Sequence, residues 1–393
     1  MLLSRSNEPW VGPSRWTLVL LICALLLPTA VGGDSGDSWV SPIMAEDRPP
    51  AAGGPVSGPF PAVLHSTRTD AFVDPRGRPL RLVGLNVVPV WRNHRGRTWS
   101  LESYRRIRAV GFNVVRLVLY WDDFEPRRGQ WDRPSLRTLD LAVGRARAAG
   151  LYVILDMIHL TGPGGLERVP TWARTGDSVA AVERNGAGYL RMLARRYRDE
   201  AAVAAYDPVN EFRRWPLDQD GVLRAYRYLI GQIRAVDPER VILVQPSYGD
   251  TSVAGNLADL ANLGGGSNLV WSLHDYFAGG DDDGYDRDGG QAGAYTWDGR
   301  TGYQVSDPAA LERHLLVHLE KARAAGLPVW VGEFGIGEGA SNRDRWIKDQ
   351  IRLFDRYGLG RAWWQYAGSG PFSATNADGS WKPWIRALLP QSP

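Results

Sequence analysis

Cysteine is all but absent from this chain of 393 residues: the single one is Cys23. It lies in an apolar leader, so the rest of the chain can form no disulfide of its own. Stability must then come from core burial, which a chain of this length can supply. Lysine is almost as scarce. Lys321, Lys348 and Lys382 are the whole set, and arginine supplies the rest of the 46 basic residues. These arginines recur along most of the helical segments instead of forming one basic face. Against 43 acidic residues they leave a net charge of +3. On that balance neither nucleic acid nor an anionic membrane is expected as a partner. No internal repeat of fixed period is present. Two metal signatures also fail. His314 and His318 stand four apart on a helical pattern, but Leu315 occupies the place where a zinc protease needs glutamate. The acidic, glycine-rich stretch 281–289 lacks the spacing of an EF-hand loop and reads as a loop flanking a substrate groove.

What is there begins with an apolar run at 16–27, preceded by Arg5 and Arg15 and followed by small residues up to Gly33. The run falls short of the roughly 20 residues that span a bilayer comfortably. Basic flank, short apolar centre and small residues predict a secretory signal over 1–32, with a retained membrane anchor as the alternative. Either way the charge asymmetry predicts an exported, extracellular main domain. Residues 33–62, rich in Gly, Pro, Ser and Ala, read as a flexible linker. One domain is expected over 63–393.

That domain alternates strand-like and helix-like segments after a short hairpin around Asp74-Pro75-Arg76-Gly77. Candidate strands lie at 81–88, 113–119, 152–157, 203–206, 241–245, 269–273, 329–331 and 361–364. Between them Ser100 suits an N-cap, Pro134 a first helical turn, and Gly111, Gly150 and Gly326 helix ends. Asp307-Pro308 would open the helix that Gly326 closes. Eight such alternations predict a single α/β domain closed as a (β/α)8 TIM barrel. An open doubly wound sheet would want a glycine-rich phosphate loop after its first strand, and there is none.

In such a barrel chemistry sits where strands end. Two of these ends carry glutamate: Val329-Trp330-Val331-Gly332-Glu333 and Tyr206-Asp207-Pro208-Val209-Asn210-Glu211. A pair of carboxyl groups across one cavity, one protonated and one not, is the minimum equipment for cleaving a glycosidic bond with retention. Other strand ends add Arg116, Tyr120 to Asp123, Asp156, His159, His274, Tyr276, Trp363 and Trp364. Asp156 reads as structural, holding a loop or a neighbouring side chain, and Trp363 as core. Trp91, Trp121 and Trp297 are candidate sugar platforms, and 125–131 reads as a structural loop.

Gly111-Phe112-Asn113-Val114-Val115-Arg116-Leu117, Asp156-x-x-His159, Asn210-Glu211, His274-x-Tyr276 and Gly332-Glu333-Phe334-Gly335 together resemble glycoside hydrolase family 5, the cellulase-type group of retaining barrel glycosidases. The resemblance runs from about Phe72 to Trp384 in the family's order. It implies Glu211 as general acid and then base, and Glu333 as nucleophile. Arg116 would keep Glu333 ionised and Tyr276 would hydrogen-bond it. Asn210 would meet the sugar 2-hydroxyl, His159 and His274 would line the subsite, and Trp364 would be its stacking floor. It further implies a β-linked polysaccharide substrate, β-glucan or mannan, with no cofactor or metal and a monomeric chain. The alternatives are a glycolipid or short glycoside cleaved by the same chemistry, or a non-catalytic carbohydrate-binding barrel. Two departures stand out. Phe212 follows Glu211 where the family usually has proline, and Gly84-Leu85-Asn86 lacks the arginine often found before that glycine.

Overall fold

The computed structural model describes residues 60, 64–88, 99–161, 165–212, 219–245, 268–279, 294–296, 299–303, 309–368 and 370–390. The expected leader, nearly all of the linker, Trp91, Trp297, Asp307-Pro308 and the acidic stretch 281–289 lie outside these residues. The strands run Val83–Val87, Val114–Val118, Tyr152–Asp156, Val203–Asp207, Val241–Val244, Leu269–Asp275, Val329–Phe334 and Gly360–Trp363. Each pairs in parallel with the next, and the eighth closes on the first, with Val83 opposite Arg361. This is the (β/α)8 barrel. A two-stranded ribbon, Phe277–Gly279 with Ala294–Tyr295, stands beside it.

The strand sequences are apolar on both faces because both are covered, by helices outside and by the barrel's own filling inside. Val115, Leu117, Val153 and Leu155 pack into the outer core, whereas Val114, Ile154, Val241, Leu243, Val270, Trp330 and Ala362 form a separate inner cluster. Phe72, from the segment before the first strand, meets Trp330 edge-on at 6.3 Å and belongs to the same inner cluster. That segment is tied by isolated antiparallel bridges, His65 with Val73 and Val73 with Pro79. Period-two alternation then lifts the next inward positions above this apolar plug. They are polar: Asn86, Arg116, Asp156, Asp207, Gln245, His274 and Glu333, all buried.

Local signals set the helices. Ser100 Oγ accepts the Ser103 amide at 3.1 Å to start Leu101–Val110, and Gly111 ends it with φ +123°. Asp132 caps Arg133–Ala148 by accepting from the Ser135 amide at 3.0 Å, with Pro134 in the first turn. No helix among the described residues is long and apolar enough to cross a membrane.

His314 and His318, on Ala309–Ala325, are packing residues. His314 stacks on Phe277 with ring centroids 4.3 Å apart, and His318 meets Trp271 edge-on at 6.0 Å. Burial, and then the neighbouring His314, hold the His318 pKa well below its ordinary value of 6.5. The unfolded chain therefore binds a proton there before the folded one does. The stabilisation is complete above about pH 6.5 and is lost as pH falls toward the folded value. His318→Met is expected to flatten the acid limb of stability by up to ~1.4 kcal/mol per pH unit. Urea unfolding at about pH 5 and about pH 7.5 measures this, and equal slopes for variant and wild type would contradict it.

Candidate active site

The seventh strand carries Glu333 near its carboxyl end. It pairs with the sixth strand on one side and the eighth on the other, and in both ladders one extra residue falls on the seventh. Such a bulge re-aims the side chains that follow it. On the sixth-strand side the extra residue is Gly332. A Cβ there would collide with Ser272 Oγ and press on the His274 ring. Its carbonyl is held by Asn86 Nδ2, which donates at 2.9 Å. Glycine is thus what allows Glu333 to lie directly opposite His274.

Glu333 is 4% exposed. Its Oε1 accepts from Arg116 Nη1 at 2.9 Å and its Oε2 from Tyr276 Oη at 3.0 Å. His274 Nδ1 stands 3.7 Å from the same Oε2. Arg116, wholly buried in the second strand, has every arm engaged. Nε and Nη2 both donate to Asp207 Oδ2, at 3.0 and 2.8 Å. Nη2 also donates to Asn210 Oδ1 at 2.7 Å and lies 3.2 Å from Asp156 Oδ2. Nη1 donates to Asn86 Oδ1 at 2.9 Å. Burial works against its charge, but Asp156, Asp207 and Glu333 outweigh burial and keep it cationic. For Asp207 burial wins over the nearby guanidinium and pushes the carboxyl up to about 6.

Glu211 comes four residues after the fourth strand ends at Asp207. Its neighbour Asn210 makes a parallel bridge with His159. Glu211 itself has φ +48°, in the left-handed region that non-glycine residues seldom occupy. Its amide donates to Gln245 Oε1 at 2.9 Å, and its Oε1 lies 2.8 Å from His274 Nδ1. One carboxylate oxygen of each glutamate and one ring nitrogen of His274 fall within 4.8 Å of one another. Burial opposes a charged His274, but the charge of Glu333, then the contact with Glu211, raise its pKa above the ordinary value. Burial, followed by the charge of Glu333, raises Tyr276 well above the usual phenol range, so it remains a neutral donor.

His159 completes the wall. Its Nδ1 lies 2.6 Å from Asp156 Oδ2, and its ring stacks on Trp364 with centroids 5.4 Å apart at 5°. Tyr120 meets it edge-on at 6.0 Å. Eight of the residues singled out in the sequence therefore fall into one contact network: Arg116, His159, Asn210, Glu211, His274, Tyr276, Glu333 and Trp364.

The family model described as cellulase (glycosyl hydrolase family 5) matches residues 73–370. The chain belongs to glycosyl hydrolase family 5. A β-xylosidase of Phanerodontia chrysosporium is 26% identical over 295 residues, covering 67% of this chain and 55% of that protein. An endoglycoceramidase of Cyanea nozakii is 26% identical over 183 residues, covering 40% of this chain and 35% of that one. The chain spans about half the length, or less, of the curated relatives it matches. Among solved structures, an endogalactoceramidase superposes with TM-score 0.62 at 21% identity, covering 78% of this chain and 75% of that chain. An endo-β-1,4-glucanase from Xanthomonas axonopodis pv. citri superposes with TM-score 0.59 at 22% identity, covering 79% and 97%. These superpositions show the shared barrel.

Glu211, His274 and Glu333 together have the reach of a metal site. Arg116, 2.9 Å from Glu333, opposes a cation there with a fixed positive charge. Trp121 is not a sugar platform: it is fully buried, stacks on Tyr189 and donates through Nε1 to Glu125 Oε2 at 2.7 Å. Glu125, in the stretch read as a structural loop, is what satisfies it. Trp363 is core, donating to the Phe372 carbonyl at 2.9 Å. Asp156 holds His159 and Arg116, the structural part expected of it. Three residues of the network were not singled out from the sequence: Asn86, Asp207 and Gln245. Replacing Arg116 with methionine is expected to cost roughly 3–5 kcal/mol of folding stability, because it strands buried carboxylates without their cation. Urea unfolding measures this, and a loss below about 1 kcal/mol would mean that the carboxylates are held by something else.

Proposed function

We propose that the chain is an exported retaining β-glycosidase in which Glu333 is the nucleophile and Glu211 the general acid and then base. The observation that carries this is the pairing of unlike glutamates across a short gap. Glu333 is gripped by Arg116 and Tyr276, while Glu211 faces His274, with one oxygen of each within 4.8 Å of the other. Retaining enzymes hold their carboxyl groups roughly 5–5.5 Å apart, closer than the spacing that lets an inverting enzyme place its attacking water directly on the bound substrate.

In the first step a Glu333 oxygen bonds to the anomeric carbon as the glycosidic bond breaks, and the Glu211 proton passes to the departing oxygen. In the second a water gives its proton to Glu211 and its oxygen to the same carbon, freeing Glu333. Two displacements on one carbon return the original configuration. Arg116 and Tyr276 stabilise the Glu333 charge that the second step regenerates. Asn210, fixed by Arg116, would offer its amide to the sugar 2-hydroxyl, and His159 with Trp364 would form the wall on which the ring rests. No step calls for a cofactor.

The substrate reading is a β-linked polysaccharide outside the cell. Export rests on the leader sequence. A glycolipid is the second reading, supported by the endoglycoceramidase and endogalactoceramidase among the similar proteins. Turnover of β-glucans and mannans but not of glycosylceramide in mixed micelles is expected under the first reading, and the reverse under the second.

Proton NMR of the first-formed sugar is expected to show the starting anomer; an inverted product would rule out the two-step path. Glu333→Gln should fall to background on an aryl β-glycoside. Glu211→Ala should regain rate with azide, because a small anion attacks the glycosyl-enzyme without base assistance. Full activity in Glu333→Gln would remove it as nucleophile.

A further inference from the structure

Glu211 sits in a backbone conformation that costs free energy, and something nearby must hold it there. The residue after it, Phe212, is wholly buried and packs its ring edge-to-face on Tyr226, with centroids 5.3 Å apart. Tyr226 comes from the helix Gln219–Arg234 and is itself fully buried. Its hydroxyl accepts the Gln245 amide at 2.9 Å and donates to the Val209 carbonyl at 3.3 Å. The Gln245 side chain then turns back, its Oε1 accepting the Glu211 amide at 2.9 Å. Phe212, Tyr226, Gln245 and Glu211 thus form a closed circuit with two hydrogen bonds, one ring contact and one peptide bond. Gln245 Nε2 also donates to both Asp207 oxygens, at 3.0 and 2.9 Å, which ties the circuit to the Arg116 network.

We propose that Phe212 and Tyr226, acting through Gln245, are positioning residues that hold Glu211 at the angle required for proton delivery. The proposal rests on Glu211 being the acid–base residue. Its physical basis is that the circuit touches Glu211 alone of the two glutamates. Glu333 is aimed by the Gly332 bulge and by Arg116, neither of which needs the Phe212 ring. Loosening the circuit should therefore impair proton transfer and leave nucleophilic attack nearly intact. A part that was merely structural would weaken both alike.

The test separates these outcomes through the leaving group. Tyr226→Phe removes one hydroxyl, and Phe212→Leu keeps an apolar side chain while removing the ring contact. Each is assayed on the phenyl and 2,4-dinitrophenyl β-glycosides of whichever sugar the wild-type enzyme turns over fastest. A phenolate leaves poorly without a proton, whereas dinitrophenolate needs none. For both variants kcat/KM on the phenyl glycoside should fall by about tenfold or more, and on the dinitrophenyl glycoside by less than about threefold. Added azide should raise the variants' kcat on the dinitrophenyl substrate, where the missing base limits the second step. Equal losses on both substrates, or no loss on either, overturn the proposal. Glu211→Ala serves as the separate control. If azide fails to rescue it, the acid–base assignment itself has failed and this inference falls with it. If azide rescues it while the two variants lose activity evenly, the assignment stands and only the inference is overturned.

Discussion

One buried guanidinium organises the polar half of this barrel. Taking Arg116 out of water costs several kcal/mol, and that cost is recovered only if its donors meet acceptors in good geometry. They do. Asp207 and Asp156 lie on one side, Glu333 on the other, with Asn86 and Asn210 between. The partners reach further. Asn86 holds the Gly332 carbonyl, and Gln245 holds Asp207. Strands one, two, three, four and seven are joined through this network, with Gln245 adding the end of the fifth. Three carboxylates around one cation leave an excess of negative charge. Burial, more than this excess, raises the Asp207 pKa to about 6, with Asp156 adding to it and Arg116 opposing it.

The two glutamates are held in different ways, and the difference suits the tasks assigned to them. Glu333 lies within a strand, clamped through both oxygens, and the nucleophile's part proposed for it requires a fixed position. Glu211 lies on a strained turn and contacts a histidine whose own pKa is raised; in the proposed mechanism it exchanges a proton twice per cycle. Its backbone is held through Gln245 and Phe212, and its carboxylate meets His274.

How much of this could be read in advance depends on the residue. The eight strands were legible because each is a short apolar run between helix caps, and the structure returns all eight within a few residues of the expected bounds. Arg116 was legible as a charge inside an apolar strand, which demands an explanation. Asn86 and Gln245 were not, because a neutral amide at a strand end has no distinctive pattern and its partners lie far away in sequence. Asp207 was hidden by its neighbours, since Asn210-Glu211 drew attention as the polar end of that strand. Gly332 could be seen, but only as a glycine beside Glu333. That it is the extra residue of a bulge needs the register of both adjoining strands. Trp121 misled for a simple reason: an indole near a strand end is equally suited to stacking on sugar or to filling a core, and Glu125 four residues on decides for the core.

The claim on which all of this turns is that Glu333 forms a covalent bond to the sugar. Incubation with an activated 2-deoxy-2-fluoro β-glycoside slows both steps and lets the intermediate accumulate. Peptide mass spectrometry should then find one fluorosugar on the peptide containing Glu333 and none on that containing Glu211. A label on any other carboxylate, or inactivation of the enzyme with Glu333 unmodified, would contradict the account.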